Sequence, residues 1–163
     1  RRTAFAKPFV WWIKDRLHVA TMREASASIV GMHDFTALSD KRVEESTEVK
    51  VEEVALEEAG DLILFRIAAS HFLWKMVRKT VAALVQVGRG EMSPANFAKL
   101  LDDPRVRFQP SAPPSGLFLE AIVYPGETFD RPLAPIVPVV TPRVKLRAIV
   151  ERAPARPRGK ARR

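Results

Sequence analysis

Residues 69–90 constrain this chain more than any other stretch. Leu73, Met76, Val77, Thr80, Val81 and Leu84 recur at helical spacing and predict one apolar stripe on a helix that stops at Gly88. Lys75, Arg78 and Lys79 fall opposite that stripe. A helix that packs on one side and carries three cations on the other is a candidate RNA- or phosphate-facing element. The plainer alternative is a packing helix with a solvated basic face.

The flanking sequence supplies a domain for this helix to pack into. Residues 8–13, with Phe9, Trp11 and Trp12, read as a strand or an anchored arm. Val19, Met22, Ala25, Ile29 and Val30 predict a helix across 17–30, closed by Gly31. Val49, Val51, Val54 and Leu56 mark a polar strand over 44–56, and the turn signal Ala59-Gly60-Asp61 joins it to an apolar strand over 62–68, a hairpin. Ser93 and Pro94 open a further helix as N-cap and first-turn residue, with Phe97, Leu100 and Leu101 facing the core. Residues 117–124 read as a near-continuous apolar strand. The order strand-helix-strand-strand-helix-helix-strand predicts an α+β fold, an antiparallel or mixed sheet with helices packed on one face.

At 163 residues the chain can bury one ordinary core. No run approaches the roughly 18 apolar residues that span a bilayer. With no cysteine there is no disulfide scaffold and no thiolate metal site, and a reducing cytoplasm is the expected compartment. His18, His33 and His71 are scattered without ligand spacing, so no metal is expected. The net charge of +8 is unevenly placed: residues 143–163 hold nine basic side chains against Glu151, and the remainder balances. Seven of the 13 prolines lie from Pro125 onward. These shifts predict an α+β domain over 1–125, a Pro-rich extended segment over 126–142 and a basic disordered tail over 143–163. The chain begins at Arg1 and its first methionine is Met22, so a fragment of a longer protein is expected.

Two more clusters stand out. In Gly31-Met32-His33-Asp34-Phe35-Thr36, Gly31 ends a helix, Asp34 bonds nearby amides and Phe35 enters the core. Reading His33 and Asp34 as an acid–base pair is weaker, because neighbours in a turn seldom aim at one atom. In Ser111-Ala112-Pro113-Pro114-Ser115-Gly116-Leu117 the prolines fix an extended loop, and Gly116 permits a close approach.

Together, Phe72-Leu73, Met76-Val77-Arg78, Val81 and Val87-Gly88 resemble the C-terminal motif of the tRNA pseudouridine synthase A family. Gly31-x-His33-Asp34-Phe35 and Ala112-Pro113-x-x-Gly116-Leu117, the latter leading to Tyr124-Pro125, resemble two further family segments. The likeness runs from about Trp11 to Pro125. It implies half of a pseudouridine synthase fold and an isomerase that needs no cofactor. The implied substrate is tRNA, with uridine converted to pseudouridine in the anticodon stem-loop, and the full-length protein would be a homodimer away from membranes. It places Arg78 beside the catalytic aspartate, and Lys75, Lys79 and Arg89 against RNA. His33, Asp34, Phe35, Phe72, Met76, Gly116 and Leu117 become positions of the structural motif. The Gly-Arg-Thr-Asp-type run that carries the family's aspartate does not occur here, and neither Asp34 nor Asp40 matches it. Lys79 stands for a usual Asn, Ala82 for a usual Gly, and His71 where a small residue is common. The competing readings are a non-catalytic RNA-binding or assembly module derived from that family, and an unrelated α+β interaction domain.

Overall fold

A computed structural model describes residues 5–40, 46–103 and 105–136. The expected tail, and residues 44–45 at the start of the polar strand, lie outside the described residues. The elements run α1 (Val19–Ala27), β1 (Gly31–Asp34), β2 (Glu48–Ala59), β3 (Leu62–Ala69), α2 (Met76–Gly88) and α3 (Pro94–Asp102).

β2 and β3 form the expected hairpin, antiparallel from Ala59↔Leu62 to Val51↔Ala69, turned by Gly60 at φ +64°. The valines of β2 change parity along the sequence, yet Val49, Val51 and Leu56 are all buried and Val54 packs against them. A bulge between Val51 and Glu53 absorbs one residue and returns both halves of the strand to one face. Glu53, Ala55 and Glu57 point to the other face, with Leu64, Arg66 and Ala68 of β3.

β1 corrects the reading of 31–36 as a turn alone. The helix expected over 17–30 ends at Ala27, a turn through 28–30 follows, and Gly31 at φ +124° opens an edge strand, Gly31↔Val51 to Asp34↔Glu48. The sheet order is β1-β2-β3, wholly antiparallel. Its Val49–Val51–Leu56 face carries all three helices through one cluster that includes Met22, Ile29, Phe35, Met76, Leu84 and Phe97. The fold is α+β.

The helix ends show their chemistry. Ser93 Oγ accepts the Asn96 amide at 3.2 Å and Pro94 occupies the first turn, the cap expected for α3. α2 starts later than its stripe predicts, because Lys75 takes a left-handed conformation at φ 61° and Leu73 lies before the helix. The helix ends at Gly88 as expected, but the closing positive φ is not there. The chain turns at Gly90 (φ +75°), where the amides of Gly90 and Glu91 bond the carbonyls of Val87 and Gln86 at 2.9 Å, a Schellman closure. Gly88 instead admits α1: a Cβ there would come within 2.6 Å of Met22 Sδ.

Of the two readings of 8–13 the arm is the one formed, and the strand expected over 117–124 is not. Residues 8–13 are an arm rather than a strand, held where Gly116 packs on the backbone of Phe9 and Val10. Residues 117–124 enter no ladder, and Leu117, Phe118, Leu119, Ile122, Val123 and Tyr124 are all exposed. A run apolar on both faces is the pattern of an interior strand, which needs neighbours on each edge. Among the described residues the three-stranded sheet supplies none on its far side. Among the described residues no helix is long and apolar enough to cross a membrane.

Candidate functional site

Arg78 lies in the first turn of α2 and is half-buried. Its Nε donates to the Ala112 carbonyl at 2.6 Å, and the Ala112 amide donates back to the Arg78 carbonyl at 3.0 Å. Pro113 and Pro114 stiffen the chain beyond Ala112. The guanidinium is therefore aimed by backbone, and no acid pairs with it among the described residues. A fixed guanidinium whose two terminal nitrogens have no partner among the described residues is built to receive a carboxylate or phosphate in bidentate fashion.

The other two cations of this helix do not share its situation. Asp40 reaches α2 from the loop after β1, takes Lys75 Nζ at 2.5 Å and Lys79 Nζ at 2.6 Å, and donates its amide to the Trp74 carbonyl at 3.0 Å. Hydrogen bonds from Lys75 and then Lys79 hold its carboxyl well below the usual range, at about 2. α2 has no acid in its first turn, and Asp40 supplies the negative charge that this helix end favours. Lys79 is 5 % exposed, with Nζ also on the Ser39 carbonyl, so it lies inside rather than opposite the apolar stripe. Its aliphatic stem packs while the ammonium is neutralised. Lys75 remains partly exposed. Arg89, at the far end of α2, is exposed and pairs with Asp15 at 2.9 Å.

The motif positions divide between core and surface. Phe35 and Met76 are fully buried. Asp34 accepts the amide and hydroxyl of Thr36 at 2.9 and 2.7 Å, and the half-buried His33 packs edge-on against Phe35. Gly116 (φ +88°) lets the loop touch the Phe9–Val10 backbone, a Cβ there meeting Phe9 O at 3.1 Å. Phe72, Trp74 and Leu117 are exposed around the mouth of α2 and the loop leading to 117–124. His71 is exposed and hydrogen-bonded to Ser70 Oγ. Among the described residues no three of His, Cys, Asp and Glu converge as a metal site would require.

Asp40 went unpromoted in the sequence, and Arg66 and Glu120 gave no signal there. Asp40 meets Lys75 and Lys79 across 35 and 39 residues, and Arg66 meets Glu120 across 54. No window of helical or strand periodicity spans such separations.

A sequence profile described as tRNA pseudouridine synthase matches residues 25–125, more than half of the chain. The chain belongs to the tRNA pseudouridine synthase family. Curated members named tRNA pseudouridine synthase A are similar to it. The protein of Chromobacterium violaceum is 39 % identical over 123 residues, which cover 72 % of this chain and 46 % of the relative. That of Paraburkholderia phymatum is 40 % identical over 123 residues, covering 74 % and 46 %, and that of Mesorhizobium japonicum 36 % over 124, covering 75 % and 50 %. The chain thus spans about half the length of the curated relatives it matches.

Proposed function

We propose that this chain is the C-terminal part of a tRNA pseudouridine synthase, an isomerase that converts uridine to pseudouridine in the anticodon stem-loop of tRNA. The observation that carries the reading is Arg78. Its guanidinium is aimed by Ala112, half-buried and without an acid partner among the described residues. In the reaction a catalytic aspartate from the remaining half of the enzyme attacks or deprotonates the ribose, and uracil detaches, rotates and rejoins through C5. Arg78 would keep that carboxylate ionised and oriented. The uridine must leave its stack to reach the pocket. Lys75 and Arg89, each with an exposed face, would meet tRNA phosphates, and Lys79 would act through Asp40 rather than on RNA. A cytoplasmic homodimer with tRNA across both subunits completes the proposal.

The test joins this chain to the N-terminal half of the Chromobacterium violaceum relative and assays pseudouridine in unmodified tRNA. Turnover is expected from the joined protein, none from this chain alone, and none from the joined Arg78→Ala variant. A joined protein that binds tRNA without turnover would favour the RNA-binding module instead. Turnover by this chain alone, lost on substituting one of its own aspartates, would overturn the assignment of Arg78.

A further inference from the structure

Arg66 is unusual for a strand arginine on the sheet face opposite the described helices. Its side chain is only 10 % exposed. Nε and Nη2 grip the two Glu120 carboxylate oxygens at 2.8 and 2.7 Å, Nη1 donates to the Arg131 carbonyl at 2.8 Å, and Nη2 to the Pro132 carbonyl at 3.2 Å. The Phe129 ring covers the guanidinium at 5.2 Å. Four of five donors are therefore spent on one stretch of chain with no regular structure. An external anion would find the fork closed, with Glu53 and Glu57 beside it to repel the newcomer. The arrangement fastens the chain to itself.

What it fastens begins at Ala112. From its two hydrogen bonds with Arg78 the chain passes through Pro113 and Pro114, turns where the Leu117 amide donates to the Pro114 carbonyl at 3.1 Å, rests Gly116 on the Phe9 carbonyl, and reaches Glu120. Residues 112–120 are a short span stiffened by two prolines and tied at three points. A carbonyl accepting at 2.6 Å loses its bond if it shifts by about 1 Å.

We infer that the Arg66–Glu120 pair is a positioning latch: it holds the 112–120 span against the sheet and, through Ala112, sets the direction of the Arg78 guanidinium. Its bearing on catalysis rests on the role given to Arg78 above. The latch itself does not, and is read directly in this chain without any activity.

The experiment follows the Arg78 side-chain Nε–H by NMR in chain labelled with 15N-arginine, with backbone hydrogen exchange measured in parallel. In Glu120→Gln, and equally in Arg66→Lys, which keeps the charge but loses the fork, the Arg78 Nε–H should exchange about tenfold faster. The Ala112 and Leu117 amides should lose protection while that of Leu84, deep in α2, is unchanged. Ser93→Ala, which weakens the fold at α3, should leave the Arg78 signal unmoved. The milder Glu120→Asp should give an intermediate shift. An unaltered Arg78 signal in Glu120→Gln overturns the latch. So does loosening of Leu84 in step with Arg78 in both Glu120 variants, since that is general unfolding. If the latch responds as described but the joined enzyme makes no pseudouridine, the functional reading fails and the latch stands.

Discussion

Arg78 and Ala112 hold each other twice, side chain to carbonyl at 2.6 Å and amide to carbonyl at 3.0 Å. This reciprocal pair welds α2 to the proline loop and leaves the terminal nitrogens of the guanidinium for another partner. A lysine in its place would carry the charge but neither the Nε–H nor the planar fork. In the joined enzyme Arg78→Lys should lower kcat about 100-fold or more while shifting tRNA affinity by less than about threefold. Single-turnover kinetics beside a filter-binding isotherm separates the two effects, and an equal loss in both would mean that Arg78 serves binding.

Asp40 and its lysines predict an asymmetry in stability. Asp40→Ala leaves Lys79 buried beside a carbonyl with no counter-charge. That should cost about 2–3 kcal/mol, below the full figure for a broken buried pair because Asp40 itself is partly solvent-screened. Lys79→Met removes the charge and keeps the packing, so it should change stability by less than about 1 kcal/mol. Urea unfolding of both variants decides it, and tRNA affinity should be unaltered by Lys79→Met.

The same carboxylate sets an acid limb. Folding lowers the Asp40 pKa from its ordinary 3.8 to about 2, so its contribution is complete above 3.8 and is lost as the pH falls through about 2. Glu120, lowered by Arg66, acts in the same direction. Thermal melts of Asp40→Asn should therefore fall less steeply across this window than those of the parent chain. Parallel slopes would mean that other groups govern acid unfolding.

Gly116→Ala would bring a Cβ within 3.1 Å of the Phe9 carbonyl at a backbone angle that L-residues avoid. Backbone cannot swing aside as a side chain can. A loss of about 1–3 kcal/mol is expected, with release of the 8–13 arm. A shift in tryptophan emission from Trp11 and Trp12 at unchanged helical circular dichroism would report that release.

Deleting residues 143–163 removes a charge of +8, all of the chain's net positive charge. Non-specific tRNA binding should weaken, and the slope of log affinity against log salt should flatten by several units. An unchanged slope would place the binding on Lys75, Arg78 and Arg89.

What could be read from the residues was what neighbours in sequence decide. Gly60 between two β-rich runs announced the hairpin, and Ser93-Pro94 announced α3, because turn and cap chemistry act over a few residues. β1 was hidden because four residues opening on glycine look like a turn until β2 is there to pair with them. Residues 117–124 carry the composition of an interior strand, but pairing depends on strands elsewhere. Arg78 was legible through family likeness, and its grip on Ala112 was not. The inward turn of Lys79 and the closed fork of Arg66 depended on acids at large sequence separation, which periodicity does not sense.

The uncovered run at 117–124 also bears on how long such a chain survives. Proteases ordinarily wait for a folded domain to open, and the rate of cutting then follows its stability. Here an extended apolar stretch is already at the surface, so cleavage there needs only the local release of 117–124 from its hold at Glu120 and no global unfolding. Strengthening the core would do little for the lifetime of this polypeptide, whereas shielding those eight residues would extend it.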